Sequence, residues 1–137
     1  MPRIVSIDYG GKRTGIAVTD PLKIIATGLT TVETPKLMKF LKDYFSKETV
    51  ELTIIGMPMN LDDSATDITA EVKRFITVFQ KNFPSIPIRE VDERYSSKLA
   101  AQAMLEMGMK KKQRQDKSKL DEIAATMMLQ EYLQHNF

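Results

Sequence analysis

The 137-residue chain has no cysteine and a single histidine, His135. Disulfide frameworks, cysteine-based zinc sites, thiol nucleophiles and Ser-His-Asp triads are thereby excluded or nearly so. No apolar run approaches the ~18 residues of a membrane span. Met1 to Ile7 is apolar only briefly before Asp8 interrupts it, which argues against a secretory signal. A cytoplasmic location is expected, with no membrane partner. No internal repeat or linker breaks the sequence, so one domain spanning 1–137 is expected. A large excess of either charge is also lacking: the net charge is +2, and the whole is no polycation.

The charge is nevertheless uneven. Between Lys98 and Lys119 stand Lys98, Lys110, Lys111, Lys112, Arg114, Lys117 and Lys119 against Glu106 and Asp116. Seven positive and two negative charges give +5, leaving 2 − 5 = −3 for the rest. A basic stretch on a near-neutral body suits contact with a phosphate backbone, and a solvated loop is the plainer alternative.

Hydrophobic patterning predicts strands over Arg3 to Asp8, Gly15 to Asp20 and Gly28 to Glu33, a meander before any helix. Thr34-Pro35 reads as a helix start with Thr34 as the N-cap, followed by Leu37, Leu41, Tyr44 and Phe45 at helical spacing. Leu52 to Gly56 is a buried strand. A capping box, Ser64 to Asp67, opens a helix whose inner face is Ile68, Val72, Phe75, Ile76 and Phe79. Ile88 to Val91 is a further strand, and an Ala- and Met-rich helix from Ser96 or Ser97 stops at Gly108. A last helix starts at Ser118, with Leu120, Ile123, Ala124, Met127 and Met128 inward. The order βββαβαβαα predicts an α/β fold with a mixed sheet, in which crossover helices carry the later strands in parallel.

Four places could carry chemistry. Asp8 closes the first strand, at the end where open α/β sheets place ligands, and Gly10, Gly11 and Gly15 let the backbone turn close to a phosphate beside Lys12-Arg13. An Asx turn would need the same residues. Asp92-Glu93-Arg94 closes the strand Ile88 to Val91. Alternation sends the two acids to opposite faces, so one of them at most shares a site with Asp8. Asp121 sits near the start of the last helix, where capping competes with a site role. Asp62 and Asp63 favour capping of the helix after them. Carboxylates from separate strand ends and a late helix form an oxygen-only donor set, which selects hard cations such as Mg²⁺ or Mn²⁺. Two such ions roughly 3.5–4 Å apart serve phosphodiester hydrolysis.

In order, Asp8-x-Gly-x-Lys12-Arg13-x-Gly15-x-Ala17-x-x-Asp20, Gly56-x-Pro58-x-x-x-Asp62, Asp92-Glu93-Arg94-x-Ser96-Ser97 and Lys117-x-x-x-Asp121-x-x-Ala124-Ala125 resemble the YqgF-type family. Its members are described as pre-16S rRNA nucleases and as Holliday-junction-resolvase-like. The resemblance covers essentially the whole chain. It implies a ribonuclease-H-like fold with a five-stranded mixed sheet and metal-dependent cleavage of a nucleic-acid backbone. It also implies Asp8, Glu93 and Asp121 as catalytic, metal-binding acids, with Asp92 in reserve for the middle one. Lys12, Arg13 and Arg94 then hold phosphate, together with the basic segment Lys110, Lys111, Lys112, Arg114 and Lys117. Precursor rRNA within ribosomal particles is the expected partner, with branched DNA or non-catalytic RNA binding as alternatives. A two-lobed actin-like ATPase is disfavoured because the chain has residues for one lobe only. One departure stands out: Asp63 and Ala65-Thr66 replace the glycines usual after Asp62.

Overall fold

The computed structural model describes residues 2–20, 22, 25–57, 67–92 and 117–135. Its elements are β1 (Arg3–Asp8), β2 (Arg13–Thr19), β3 (Ala26–Glu33), a 3₁₀ turn (Thr34–Lys36), α1 (Leu37–Lys47), β4 (Val50–Met57), α2 (Asp67–Asn82), β5 (Ile88–Asp92) and α3 (Lys117–His135). The five strands form one sheet in the order β3-β2-β1-β4-β5. The meander β1-β2-β3 pairs antiparallel, whereas β1-β4 and β4-β5 pair parallel. The mixed sheet is therefore the one expected. The carboxyl ends of β1, β4 and β5 lie along one edge.

The central strand explains the layering. Ile4, Val5, Ser6 and Ile7 of β1 are all buried, so both faces of the sheet are covered. On one face Val5, Ile7, Ile16, Val18 and Ile55 pack with Leu37 and Leu41 of α1 and with Val72 and Phe79 of α2. On the other, Ile4, Ala17, Ala26 and Ile54 pack with Ala125, Met128 and Leu129 of α3. Alternation along β1 then assigns Asp8 to the face of Ser6 and Ile4, which α3 covers, and Tyr9 to the face of α1 and α2.

The path of α3 is fixed by three contacts. A Cβ placed on Gly28 of β3 would lie 2.5 Å from Glu122 Oε1 and 2.8 Å from its Cγ, so the helix rests on that glycine. Ser6 Oγ of β1 donates to the Ala125 carbonyl at 2.9 Å. Arg89 of β5 donates to the Tyr132 hydroxyl at 2.9 Å. The helix thus crosses the sheet from β3 to β5.

Several local expectations shift. Strands β2 and β3 begin two residues earlier than the apolar pattern indicates, because backbone pairing continues through Arg13↔Glu33 and Thr19↔Ala26. Thr34 is not an N-cap; Glu33 precedes the 3₁₀ turn with no side-chain cap, and the Thr34 hydroxyl is used elsewhere. The helix α3 begins at Lys117, so Ser118 lies inside it, and it runs on to His135. Its buried stripe is Ala124, Ala125, Met128 and Leu129, turned from the expected Ile123 and Met127 toward the sheet. The diagonal crossing brings the small face of the helix onto the strands. The Ser64 cap, the helix after Ser96 and the basic stretch 110–114 lie outside the described residues.

Candidate functional site

The turn after β1 is braced by a closed ring of hydrogen bonds. The Gly10 N–H donates to Thr14 Oγ1 at 3.5 Å, and the Thr34 hydroxyl donates to the Gly10 carbonyl. Thr14 and Thr34 hydroxyls lie 2.9 Å apart. A hydroxyl has one proton, and that of Thr34 goes to Gly10, so Thr14 donates to Thr34. The Thr34 N–H adds a bond to the Lys12 carbonyl at 2.9 Å. Thr14 can therefore be wholly buried without an unpaired hydroxyl. A Cβ on Gly10 would collide with the Arg13 carbonyl, which is why the turn needs glycine there. This bracing fixes the backbone that carries Lys12 and Arg13 in the connection from β1 to β2; Lys12 is exposed and Arg13 half-buried.

Asp8 pairs with Gly15 across the meander at the carboxyl end of β1. Its neighbour on the other side is β4, where Ile7 pairs with Ile55, and the next strand brings Asp92 opposite Met57. Asp92 therefore ends β5 at the same sheet edge as Asp8, two strands away or about 9–10 Å. Glu93 and Arg94 lie outside the described residues.

Asp121 occupies α3 one turn before Ala125. The Ser6–Ala125 hydrogen bond is the common reference point. Asp8 lies two residues along β1 from it, about 6–7 Å, and Asp121 four residues along α3, about 6 Å. The helix that carries Asp121 thus lies over the sheet face to which alternation assigns Asp8. Among the described residues no group of three potential metal-ligating side chains is complete. Lys117 begins α3, one turn before Asp121; Lys110, Lys111, Lys112 and Arg114 lie outside the described residues.

Asp20 belongs to the first motif but not to this edge. Its carboxylate accepts from the Ile25 N–H at 2.8 Å and the Leu22 N–H at 3.3 Å, closing the β2–β3 connection at the opposite end.

A feature without a sequence forecast adjoins the turn. A cleft of about 460 Å³ opens between α1 and α2, lined by Tyr9, Pro35, Met38, Arg74, Phe75 and Val78. The Tyr9 and Phe75 rings meet at 5.4 Å between centroids, inclined by 42°. Burial raises the Tyr9 phenol above its ordinary 10.0, Glu71 pushes it further the same way, and Arg74 opposes. A second recess lined by Lys12, Arg13 and Glu33 shares Gly11 and Pro35 with the first. Tyr9 directly follows Asp8, and Phe75 belongs to the forecast apolar stripe of α2. Read as core packing alone, neither shows that an open cleft separates them from α1.

Comparison with known proteins places this arrangement. The family described as "RuvX: Holliday junction resolvase" matches residues 2–135. A Christiangramia forsetii protein described as "Putative pre-16S rRNA nuclease" is 52% identical over 133 residues, covering 97% of this chain and 98% of the relative. One from Flavobacterium johnsoniae, with the same description, is 54% identical over 133 residues, covering 97% and 96%. Among solved structures, the fowlpox virus Holliday junction resolvase superposes with a TM-score of 0.55 at 16% identity, covering 96% of this chain and 98% of that one. That likeness concerns the fold, which is ribonuclease-H-like. The chain belongs to the RuvX Holliday junction resolvase family, a family of phosphodiester-cleaving hydrolases.

Proposed function

We propose that this protein is a divalent-metal-dependent endonuclease of structured RNA that matures the 5′ end of precursor 16S rRNA in the cytoplasm. The observation that carries the reading is the common reference point of Asp8 and Asp121 at the Ser6–Ala125 hydrogen bond. Relatives about half identical over nearly their full length bear a pre-16S rRNA nuclease description. The 137 residues act as one domain in this reading.

Asp8, Glu93 and Asp121 hold Mg²⁺ or Mn²⁺, with Asp92 the alternative to Glu93. The donor chemistry fits: Asp8 stands at the sheet's carboxyl edge, and a chain with no cysteine offers that edge oxygen ligands, the choice of hard cations. When bound, the metal supplies activation of water and stabilisation of the departing oxygen. Lys12 and Arg13, on the braced turn, hold the backbone phosphate against Asp8. Arg94 and the basic run Lys110, Lys111, Lys112, Arg114 and Lys117 secure the flanking polyanion. Because the turn is closed by hydrogen bonds, its cations are placed before substrate arrives.

The test is cleavage of precursor 16S rRNA by the pure protein with Mg²⁺ or Mn²⁺, scored beside Asp8→Asn and Asp121→Asn. Each variant is expected to lose at least about a hundredfold in rate, roughly 2.7 kcal/mol of transition-state stabilisation. Unchanged cleavage in either removes the acid assignment. The family description and the fowlpox likeness favour one second reading, resolution of four-way DNA junctions. The same assay on such a junction separates the two. RNA binding with no metal-dependent product on either substrate would identify a non-catalytic assembly factor.

A further inference from the structure

We infer that the cleft between α1 and α2 receives an unpaired nucleobase of the substrate strand, stacked against the Tyr9–Phe75 pair. The inference takes its ligand from the proposed nucleic-acid activity and adds to it a preference for unpaired nucleotides beside the cut.

The cleft has the size and chemistry for this. Its volume of about 460 Å³ falls within the ~300–1,000 Å³ of small-molecule sites. Two aromatic rings, Tyr9 and Phe75, stand in its wall, and Val78 leaves 45% of its surface exposed at the rim. Glu71 and Arg74 both act on the Tyr9 phenol, so an acceptor and a donor stand beside the ring for the edge of a base. A base offers a flat π-face to an aromatic ring whatever its identity, and its edge needs hydrogen-bond partners.

Position supplies the second argument. Asp8 and Tyr9 are consecutive, with Cα atoms about 3.8 Å apart, and project to opposite faces at the carboxyl end of β1. A strand whose phosphate lies at Asp8 and which folds over the sheet edge brings a neighbouring base to the Tyr9 side. The recess holding Lys12 adjoins the cleft, sharing Gly11 and Pro35 with it, and suits the connecting phosphate. A base inside a duplex is stacked and paired and cannot enter. The cleft therefore selects ends, tails and junctions.

The test uses the full chain in a chelator, so that binding is read without cleavage. The probes are an RNA hairpin with a short single-stranded 5′ tail carrying 2-aminopurine and the same hairpin with a blunt end. Tighter binding of the tailed RNA, by about tenfold, is expected for one stacked base, with a change in 2-aminopurine emission. Val78→Glu places a charge at the exposed rim without disturbing the core and should bring tailed binding down to the blunt value. Tyr9→Leu should do the same, and Tyr9→Phe should keep the preference. Equal affinity for the two hairpins in the unmodified protein, or a preference surviving Val78→Glu, overturns the inference. Adding Mg²⁺ separates it from the proposed function. Tail preference without cleavage defeats only the nuclease reading, and cleavage without tail preference defeats only the cleft.

Discussion

Ser6 and Ala125, 119 residues apart, are joined by a buried hydrogen bond of 2.9 Å from the serine hydroxyl to the helical carbonyl. That carbonyl also serves the helix ladder, so Ser6→Ala leaves no orphaned acceptor and should cost only about 0.5–1.5 kcal/mol. Ser6→Val adds carbon beneath Ala125, a closely packed contact, and should cost about 1–3 kcal/mol by overpacking. Urea midpoints measure both. Because α3 also carries Asp121, Ser6→Val should slow cleavage at temperatures where the variant is still fully folded, whereas Ser6→Ala should not.

Gly28 and Glu122 form the other anchor of α3. A methyl group at Gly28 would press on Glu122 Cγ as well as on its carboxylate, and the Cγ atom cannot swing clear as the chain end can. Gly28→Ala should lower stability by about 1–3 kcal/mol. Glu122→Ala removes the obstructing atoms, so the double variant should recover most of that loss. A double-mutant cycle with no coupling would show that the helix does not rest on Gly28.

Thr53 is buried in the middle of β4, paired with Val5 and Ile88, and among the described residues its hydroxyl has no hydrogen-bond partner. Replacing that hydroxyl with a methyl group relieves an uncompensated desolvation. Thr53→Val is expected to raise stability by about 1 kcal/mol, read as a higher urea midpoint at unchanged slope.

Two tyrosines give the fold an alkaline limit. Burial raises the phenols of Tyr9 and Tyr44 above 10.0; Glu71 adds to the first and Glu48 to the second, against Arg74 and Arg3. Below 10 both are protonated in the folded and the unfolded chain, and neither contributes a slope. Above 10 the unfolded chain loses protons that the folded one keeps, so stability falls as pH rises toward the folded values. Tyr9→Phe and Tyr44→Phe should each flatten the fall measured between about pH 9 and 11 by urea unfolding.

The sheet was legible because its strands are short apolar runs of the right length, and β1 reads as buried on both faces. The crossover helices followed from Thr34-Pro35 and from the stripe Ile68 to Phe79. The family resemblance rested on motifs that locate Asp8 and Asp121 in order but not in space. What escaped reading were features made by distant partners. Thr34 looks like a cap because its neighbours are Glu33 and Pro35; only the fold brings Gly10 and Thr14 to its hydroxyl. The inward face of α3 depends on its angle across the sheet, which Gly28 and Ser6 set from far upstream. The aromatic cleft was hidden for the same reason: Tyr9 and Phe75 lie on separate elements, and each alone passes for core.

The oblique seating of α3 bears on the chain during its synthesis. Until that helix arrives, Ile4, Ala17, Ala26 and Ile54 lack the cover that, among the described residues, Ala125, Met128 and Leu129 give them. A nascent copy lacking the segment from Lys117 onward is therefore sticky on that face until its last helix is made.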